Sequence, residues 1–143
     1  MKSVCVFIVA FLALSHGLNS AAQVKSQFGP LEGTWVGVRS EIENIAPRVL
    51  SPGETKLVFK DDRIVGTGFL APEEVEYSFK LNSAPKPGQL DMWIDEKRKY
   101  QCAYEVAGET LRIACGRGSD VPRPTVVAAT GRGNILLVLK RAT

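Results

Sequence analysis

The chain has 143 residues, which is enough for one domain to bury its own core without a metal ion. Its formal net charge is +3, with charges of both signs interspersed along the chain, and this pattern predicts no nucleic-acid partner. The sequence contains a single histidine and three cysteines, few of the residues that nucleophilic catalysis and zinc binding use.

The first 22 residues have the pattern of a secretory signal peptide. Lys2 gives a positive start, residues 4–14 are almost wholly apolar, and Ser20-Ala21-Ala22 offers small residues for cleavage before Gln23. The apolar stretch is too short to span a bilayer, and a retained membrane anchor is the alternative interpretation. We therefore predict an exported single domain of residues 23–143, periplasmic or extracellular, with no membrane span after cleavage.

Cleavage before Gln23 removes His16 and Cys5, so the predicted domain contains no imidazole. Ser-His and Cys-His catalysis need an imidazole base, and most zinc sites need imidazole or several thiolates. We therefore predict a protein that is not an enzyme and that uses no metal and no cofactor. Acidic residues gather at 61–62, 73–76 and 91–96, where turns and solvent-facing strand positions explain them better than an acid–base pair.

The first predicted strand, residues 33–42, begins with Gly33-Thr34-Trp35. On a period of two, Trp35, Gly37 and Arg39 share one face of this strand. We predict that Trp35 points into the core, at the floor of the fold.

Seven further strands are predicted at residues 55–60, 64–70, 75–82, 89–95, 100–106, 110–115 and 135–141. The segment 75–82 alternates most cleanly, with four apolar and four polar residues on opposite faces, as a half-buried antiparallel strand requires. Gly66 and Gly68 favour a bulge or a bend in the third strand. The loops 44–53, 83–88 and 116–124 are rich in glycine and proline, and residues 125–130 are predicted to be a short irregular extended piece.

Eight strands and no convincing amphipathic helix predict an all-β fold, a small antiparallel eight-stranded barrel. Such a barrel has an interior that is filled by side chains or holds one small ligand. A β-sandwich is the alternative architecture. The apolar run Ile135-Leu136-Leu137-Val138-Leu139 would promote aggregation on an open edge, so we expect this strand to pair on both sides.

A β-hairpin is predicted where residues 100–106 and 110–115 flank Gly108. If Gly108 and Glu109 form the loop, Cys102 lies directly opposite Cys115 at a non-hydrogen-bonded pair, where side chains are closest. If Ala107 and Gly108 form the loop, the two cysteines are diagonal neighbours. A disulfide between them is predicted in an oxidising compartment, and two buried thiols are the alternative.

Four pieces of the sequence carry a resemblance to a known family: Leu31-Glu32-Gly33-Thr34-Trp35, residues 104–111, Arg123-Pro124-Thr125 and residues 136–141. With these pieces the chain resembles an uncharacterised family of exported lipocalin-like domains, known mainly from planctomycete bacteria. The resemblance covers the chain from Leu31 onward and implies a lipocalin-like (calycin-like) barrel, but no activity, because the function of that family is unknown.

The Gly33-Thr34-Trp35 motif is similar to the Gly-x-Trp opening of lipocalins, in which a basic side chain covers the tryptophan at the closed end. The resemblance implies that Gly33, Trp35 and Arg141 have this structural role, with a cation–π contact between Trp35 and Arg141. The chain departs from lipocalins in lacking a helix after the last strand. Cys102 replaces an expected aliphatic or aromatic residue, so a disulfide would be peculiar to this protein.

Two functions of different classes follow. The first is a binding module for a small apolar ligand, and the candidate lining residues, which are alternatively plain core, are Tyr77, Phe79, Leu90, Met92, Tyr104 and Ile113. The second is a structural or interaction protein that presents the loops 44–53 and 116–133 to an envelope or extracellular partner. A connected internal cavity would favour the first function, and a filled barrel with an exposed apolar patch the second.

Overall fold

The computed structural model describes residues 27–118, 120–131 and 133–143. One antiparallel sheet contains β1 (Gly33–Ile42), β2 (Arg48–Val49), β3 (Lys56–Lys60), β4 (Arg63–Thr67), β5 (Val75–Asn82), β6 (Gly88–Trp93), β7 (Lys99–Ala107), β8 (Thr110–Gly116) and β9 (Asn134–Arg141). A 3₁₀ turn at Gly29–Leu31 precedes the strands, and the residues described contain no α-helix. Within the same residues, no helix is long and apolar enough to cross a membrane. The predicted leader lies outside them.

The sheet closes on itself because β1 pairs with both β3 and β9, while β3 to β9 follow one another around the wall. The remaining strand, β2, pairs with β1 only at Arg39 and Ser40, along the same edge of β1 that β3 pairs with at residues 33–36. The prediction of an all-β, eight-stranded antiparallel barrel is therefore confirmed, and the sandwich alternative is not the fold. The final strand β9 is paired on both sides, by β8 and β1.

The two ends of the barrel differ in their loops. The upper end is the one where β1 ends and β9 begins, and it carries the long loops 43–55, 68–74, 94–98 and 117–133. The lower end carries the turns 61–62 and 108–109, the loop 83–87 and the 3₁₀ turn. These names are kept below.

Side chains fill the lower part of the barrel. Alternate residues of each strand point inward, and the fully buried ones include Trp35, Leu57, Phe59, Ile64, Leu90, Met92, Leu111, Ile113 and Leu139. Phe28, which precedes β1, places its ring against Phe59 and Phe79, with centroids 5.4 and 5.0 Å apart. Rings at these separations attract each other beyond their simple burial. The segment before β1 therefore closes the lower end as part of the core.

The prediction that Arg39 lies on the same face of β1 as Trp35 and Gly37 is wrong. The pairing of β1 with β9 shifts between Gly37 and Arg39, because Gly37 lies opposite Leu139 and Arg39 lies opposite Val138. The extra residue is a β-bulge, which reverses the direction of every later side chain in the strand. Arg39 consequently points to solvent, where its Nη2 lies 3.4 Å from Glu41 Oε2.

Two strands end earlier than predicted. β4 ends at Thr67 because Gly68 has a φ of +60° and lies so close to Glu54 that an added Cβ would be 2.1 Å from the Glu54 carbonyl oxygen. β6 ends at Trp93, and Asp95 then forms the next turn, in which its Oδ1 accepts hydrogen bonds from the backbone N–H groups of Lys97 and Arg98 at 2.9 Å each.

Part of the long loop between β8 and β9 lies against the outer wall of the barrel. We call residues 121–130 the cover segment. Val127 and Ala129 pack with outward-facing residues of β7, β8 and β9, namely Ala103, Ala114, Leu136 and Val138. The cover segment contains no strand within its described residues. Val127 and Ala129 of this stretch, which belongs to a loop predicted to face a partner, thus form a second layer on the wall, while Val126 stays exposed.

Candidate functional site

A cavity of about 500 Å³ opens at the upper end of the barrel. Its wall combines β1, β9 and the loops 43–55 and 68–74, and its apolar side chains include Ile42, Ile45, Leu50, Phe69, Leu70, Ile135 and Leu137. Ser40 faces this space because the bulge in β1 sets it opposite the inward-facing Leu137. Cavities of this volume with mostly apolar walls and few polar groups are typical of small-molecule sites. We call it the upper cavity.

The loop 43–55 is held against β1 by backbone hydrogen bonds. Gly37 N–H donates to the Thr55 carbonyl at 2.8 Å, and Leu50 N–H donates to the Val38 carbonyl at 3.0 Å. Gly37 permits this approach, because an added Cβ would lie 2.8 Å from the Thr55 Cβ and 2.9 Å from the Leu50 Cδ1. The Thr55 hydroxyl in turn donates to the Gly68 carbonyl at 2.9 Å, which ties the two loops of the cavity together.

The rim of the upper cavity carries an ion pair between Arg48 and Glu54. Glu54 also accepts a hydrogen bond from the Ser51 N–H at 2.9 Å. The Ser51 hydrogen bond and, next, Arg48 hold the pKa of Glu54 below its ordinary value. The pair is exposed to solvent, so it orders the loop locally more than it stabilises the fold.

A smaller space of about 240 Å³ shares Ile42, Phe69, Leu70 and Ile135 with the upper cavity and adds Tyr100 and Arg117 to the lining. Arg117 is exposed, and its side chain forms no ion pair or hydrogen bond with the residues described. The mouth of the barrel is thus apolar on the β1 and β9 side and carries a cation and a phenol on the β7 and β8 side.

The six predicted lining residues mostly lie below this cavity. Tyr77, Leu90, Met92 and Ile113 are buried in the core, and Phe79 packs against it beside Phe28. Tyr104 differs, because it lines a second cavity at the lower end. The six residues were predicted because they occupy inward-facing positions on strands. Most residues that line the upper cavity lie in the loops instead.

Tyr77 is nevertheless notable because its hydroxyl is buried without a hydrogen-bond partner of regular geometry among the described residues. The side chain is 2% exposed, and its ring lies 6.5 Å from that of Phe69. Burial raises the pKa of Tyr77 to about 12, and the nearby backbone of Leu70 offsets part of the increase. An unpaired polar group therefore lies beneath two residues of the cavity wall.

Trp35 and Arg141 form the floor of the lower end. Trp35 is fully buried, and its Nε1–H donates to the Leu31 carbonyl at 2.8 Å. The Arg141 guanidinium carbon lies 4.2 Å from the centre of the indole, within the range of a cation–π contact. Arg141 also donates to the carbonyls of Glu32 at 2.7 Å and Pro30 at 2.9 Å. Gly33 makes room, since an added Cβ would lie 3.0 Å from Arg141 Nη1.

We expect Arg141→Ala to lower the free energy of unfolding by about 1 to 2 kcal/mol, through loss of the cation–π contact and two charge-assisted hydrogen bonds. The matched control is Lys140→Ala, which removes the neighbouring exposed cation and should change stability by less than about 0.5 kcal/mol. Urea titration followed by circular dichroism measures both. Equal stability of the two variants would remove the assigned role of Arg141.

Cys102 and Cys115 form a disulfide across β7 and β8, as predicted. The observed loop is Gly108-Glu109, and the register places Cys102 opposite Cys115, Tyr104 opposite Ile113 and Val106 opposite Leu111. The cysteine Cα atoms are 4.1 Å apart, the close spacing of a non-hydrogen-bonded pair. The disulfide is fully buried in the barrel interior, and Cys115 lies opposite Ile135 of the upper cavity wall in the β8–β9 register.

The alternation of residues along β6 did not predict that Asp91 is nearly buried. It lies on the outer face of β6, yet it is almost buried, because Arg123 of the cover segment reaches it with Nη2 2.5 Å from Oδ1. Lys99 Nζ lies 3.6 Å from the other carboxylate oxygen, and Arg123 also donates to the Cys102 carbonyl at 2.8 Å. Asp91 is thus an anchor for the cover segment. A pair separated by 32 residues leaves no local signal in a sequence.

In comparisons with known proteins, no family model, curated protein or solved structure matches this chain. The resemblance to exported lipocalin-like domains stays a prediction from the sequence motifs.

Proposed function

We propose that this protein is a non-catalytic binding module that holds a small apolar ligand in the upper cavity of its barrel. The observation that carries the proposal is the open space of about 500 Å³ at the upper mouth of the barrel, which lies between mainly apolar side chains next to a core of fully buried ones. A space of this size between ordered walls suits a ligand that is largely removed from water.

The proposal places the ligand above the predicted lining residues, between Ile42, Leu50, Phe69 and Ile135. The bound molecule is mainly apolar, because hydrocarbon side chains dominate the lining and the charged pair Arg48–Glu54 is confined to the rim. The same proposal holds that the protein is not an enzyme, because residues 23–143 contain no histidine to act as a catalytic base.

We further propose that the protein is exported to the periplasm or the extracellular space and belongs with the lipocalin-like domains that it resembles. The apolar stretch after Lys2 and the small residues before Gln23 support export. The Cys102–Cys115 disulfide supports an oxidising compartment, because thiols in the cytosol are kept reduced.

Ser40→Phe tests the binding function because it places a ring inside the upper cavity. The probe is the neutral fluorophore N-phenyl-1-naphthylamine, whose emission rises in an apolar environment. We expect the wild-type protein to enhance the emission and Ser40→Phe to weaken binding at least about tenfold, since the ring occupies the ligand volume.

The matched control for Ser40→Phe is Ser78→Phe, the same change on the exposed outer face of β5. It should bind the fluorophore like the wild-type protein. The proposal fails if the wild-type protein gives no enhancement, or if Ser40→Phe binds as well as Ser78→Phe while remaining folded by circular dichroism.

A second candidate is an interaction protein that presents the loop 43–55 to an envelope partner. Ile45 and Val49 favour it, because these apolar side chains of that loop are 60% and 81% exposed. Native mass spectrometry of the protein purified from its source separates the two functions. A co-purifying small molecule supports the binding module, and a co-purifying protein that is lost from the Ile45→Ser, Val49→Ser variant supports the interaction protein.

A further inference from the structure

A second cavity, of about 550 Å³, lies at the lower end of the barrel. It is open to solvent and is bordered by the loop 83–87, the last residues of β7, and residues 125–127 of the cover segment. Its lining shares no residue with that of the upper cavity. We call it the lower cavity, and the proposal for the upper cavity makes no use of it.

Tyr104 reaches the lower cavity because of a glycine on the neighbouring strand. Gly88 lies opposite Tyr104 in the β6–β7 register, and an added Cβ would be 2.4 Å from the tyrosine Cζ. The ring therefore lies across the bare backbone of Gly88, and Tyr104 is the predicted lining residue that borders this space. Its hydroxyl makes no hydrogen bond with any residue described. Burial raises the pKa of Tyr104, so the hydroxyl keeps its proton and is available as a donor.

Besides one acidic residue, the other polar side chains of the lower cavity are one cation and two hydroxyls, and the hydroxyls can donate or accept a hydrogen bond. Lys86 lines the cavity and forms no ion pair with the residues described, and the hydroxyls of Ser83 and Thr125 border the same space. The acidic residue of the lining, Glu105, is neutralised by Arg112, whose Nη1 lies 2.8 Å from its carboxylate. The charge available to a ligand is therefore the positive charge of Lys86.

The rest of the lining is apolar. Val106, Val126, Val127, Pro30 and Pro87 surround the donors, and Val126 is 52% exposed although it is a large hydrophobic residue. An isolated exposed valine needs no explanation, but this one borders a concave space together with an unpaired ammonium and an unpaired phenol. A ligand that covers the valines and accepts hydrogen bonds would satisfy both kinds of group at once.

We propose that the lower cavity is a binding site for a small amphipathic carboxylate, with the carboxylate held by Lys86 and the Tyr104 hydroxyl and the apolar body against Val106, Val126 and Val127. The site takes an anion because Lys86 is its one uncompensated charge and the Tyr104 hydroxyl beside it can donate a hydrogen bond. It takes a short apolar chain because the valines and prolines form one continuous lining with those donors.

The test uses isothermal titration calorimetry of the purified protein with sodium octanoate and with neutral octanamide. We expect octanoate to bind at least about fivefold more tightly than octanamide, because the amide lacks the charge that Lys86 recognises. Lys86→Gln should weaken octanoate binding about tenfold, as for the loss of one charge-assisted hydrogen bond, and leave octanamide binding unchanged. Tyr104→Phe, which keeps the ring over Gly88 and removes the hydroxyl, should weaken octanoate binding by roughly threefold to tenfold.

Two control variants test whether octanoate binds in the lower cavity. Lys80→Gln removes an exposed lysine of β5 that lines neither cavity and should bind octanoate like the wild-type protein. Ser40→Phe occupies the upper cavity and should also leave octanoate binding unchanged. The proposal is overturned if octanoate does not bind, if octanoate and octanamide bind equally, if Lys86→Gln has no effect, or if Ser40→Phe abolishes octanoate binding. The last result would place the carboxylate in the upper cavity, and fluorophore binding would still decide the proposed function separately.

Discussion

Trp35→Ala should destabilise the protein by roughly 3 to 5 kcal/mol, the usual range for removing a large aromatic side chain from a core. The indole is fully buried at the lower end, its N–H is hydrogen-bonded to Leu31, and Arg141 lies on its outer face. The variant therefore loses a packed ring and leaves the Leu31 carbonyl without its donor. Because whole domains are stable by only about 5 to 15 kcal/mol, a loss of this size would remove a large fraction of the total stability.

Urea titration followed by circular dichroism measures the effect of Trp35→Ala, and the second tryptophan, Trp93, provides an independent fluorescence signal in the variant. Trp35→Phe serves as the comparison, since it keeps a ring in the core and should lose less than the alanine variant. Combining Trp35→Ala with Arg141→Ala should cost less than the sum of the single changes, because the two side chains are in contact. A loss below about 1 kcal/mol for Trp35→Ala, typical of surface positions, would contradict the assignment of Trp35 as the floor of the barrel.

The second large effect is expected from the disulfide. Cys102 and Cys115 are 13 residues apart, and the entropic model of cross-linking gives about 3 kcal/mol for a loop of this length. The free energy of unfolding should therefore fall by about that amount when urea titration is performed with dithiothreitol. The bond is fully buried, so we expect the native protein to resist reduction until it unfolds.

Thiol titration of the denatured, unreduced protein tests the disulfide directly. We expect a single free thiol, Cys5, in the full chain and none in a chain that begins at Gln23. The control for stability is the Cys102→Ala, Cys115→Ala variant, whose unfolding should be insensitive to dithiothreitol. Two free thiols in the shorter chain would show that the cysteines are unbridged.

Much of the fold could be predicted because alternation along a strand is a local property. The segment of β5 shows it clearly, and the pair Gly108-Glu109 set the register that brings Cys102 opposite Cys115. The β1 bulge could not be predicted in the same way, because it is defined by the partner residues on β9, about 100 positions away along the chain. The contact between Asp91 and Arg123 could not be predicted either, because the two residues are 32 positions apart and no local pattern links them.

The candidate sites were harder to predict than the fold. Inward-facing strand residues such as Met92 and Ile113 were predicted to line a ligand cavity, and the structure shows them buried in the core. The upper cavity depends on how far the loops 43–55 and 68–74 stand away from the barrel, and this distance is not encoded in any periodic pattern. Tyr104 borders the lower cavity because its ring lies over the backbone of Gly88. This contact can be recognised only once the β6–β7 register is known.

The bulge in β1 also determines the chemistry of the upper cavity. Without the bulge, a regular register that paired Val38 with Val138 would place Arg39 opposite Leu137 and Glu41 opposite Ile135, with both charged side chains directed inward. With it, Ser40 and Ile42 occupy those inward positions and the two charges pair in solvent. Whether one residue of β1 pairs regularly or bulges out thus decides whether the mouth of this barrel presents apolar or charged side chains to an incoming molecule.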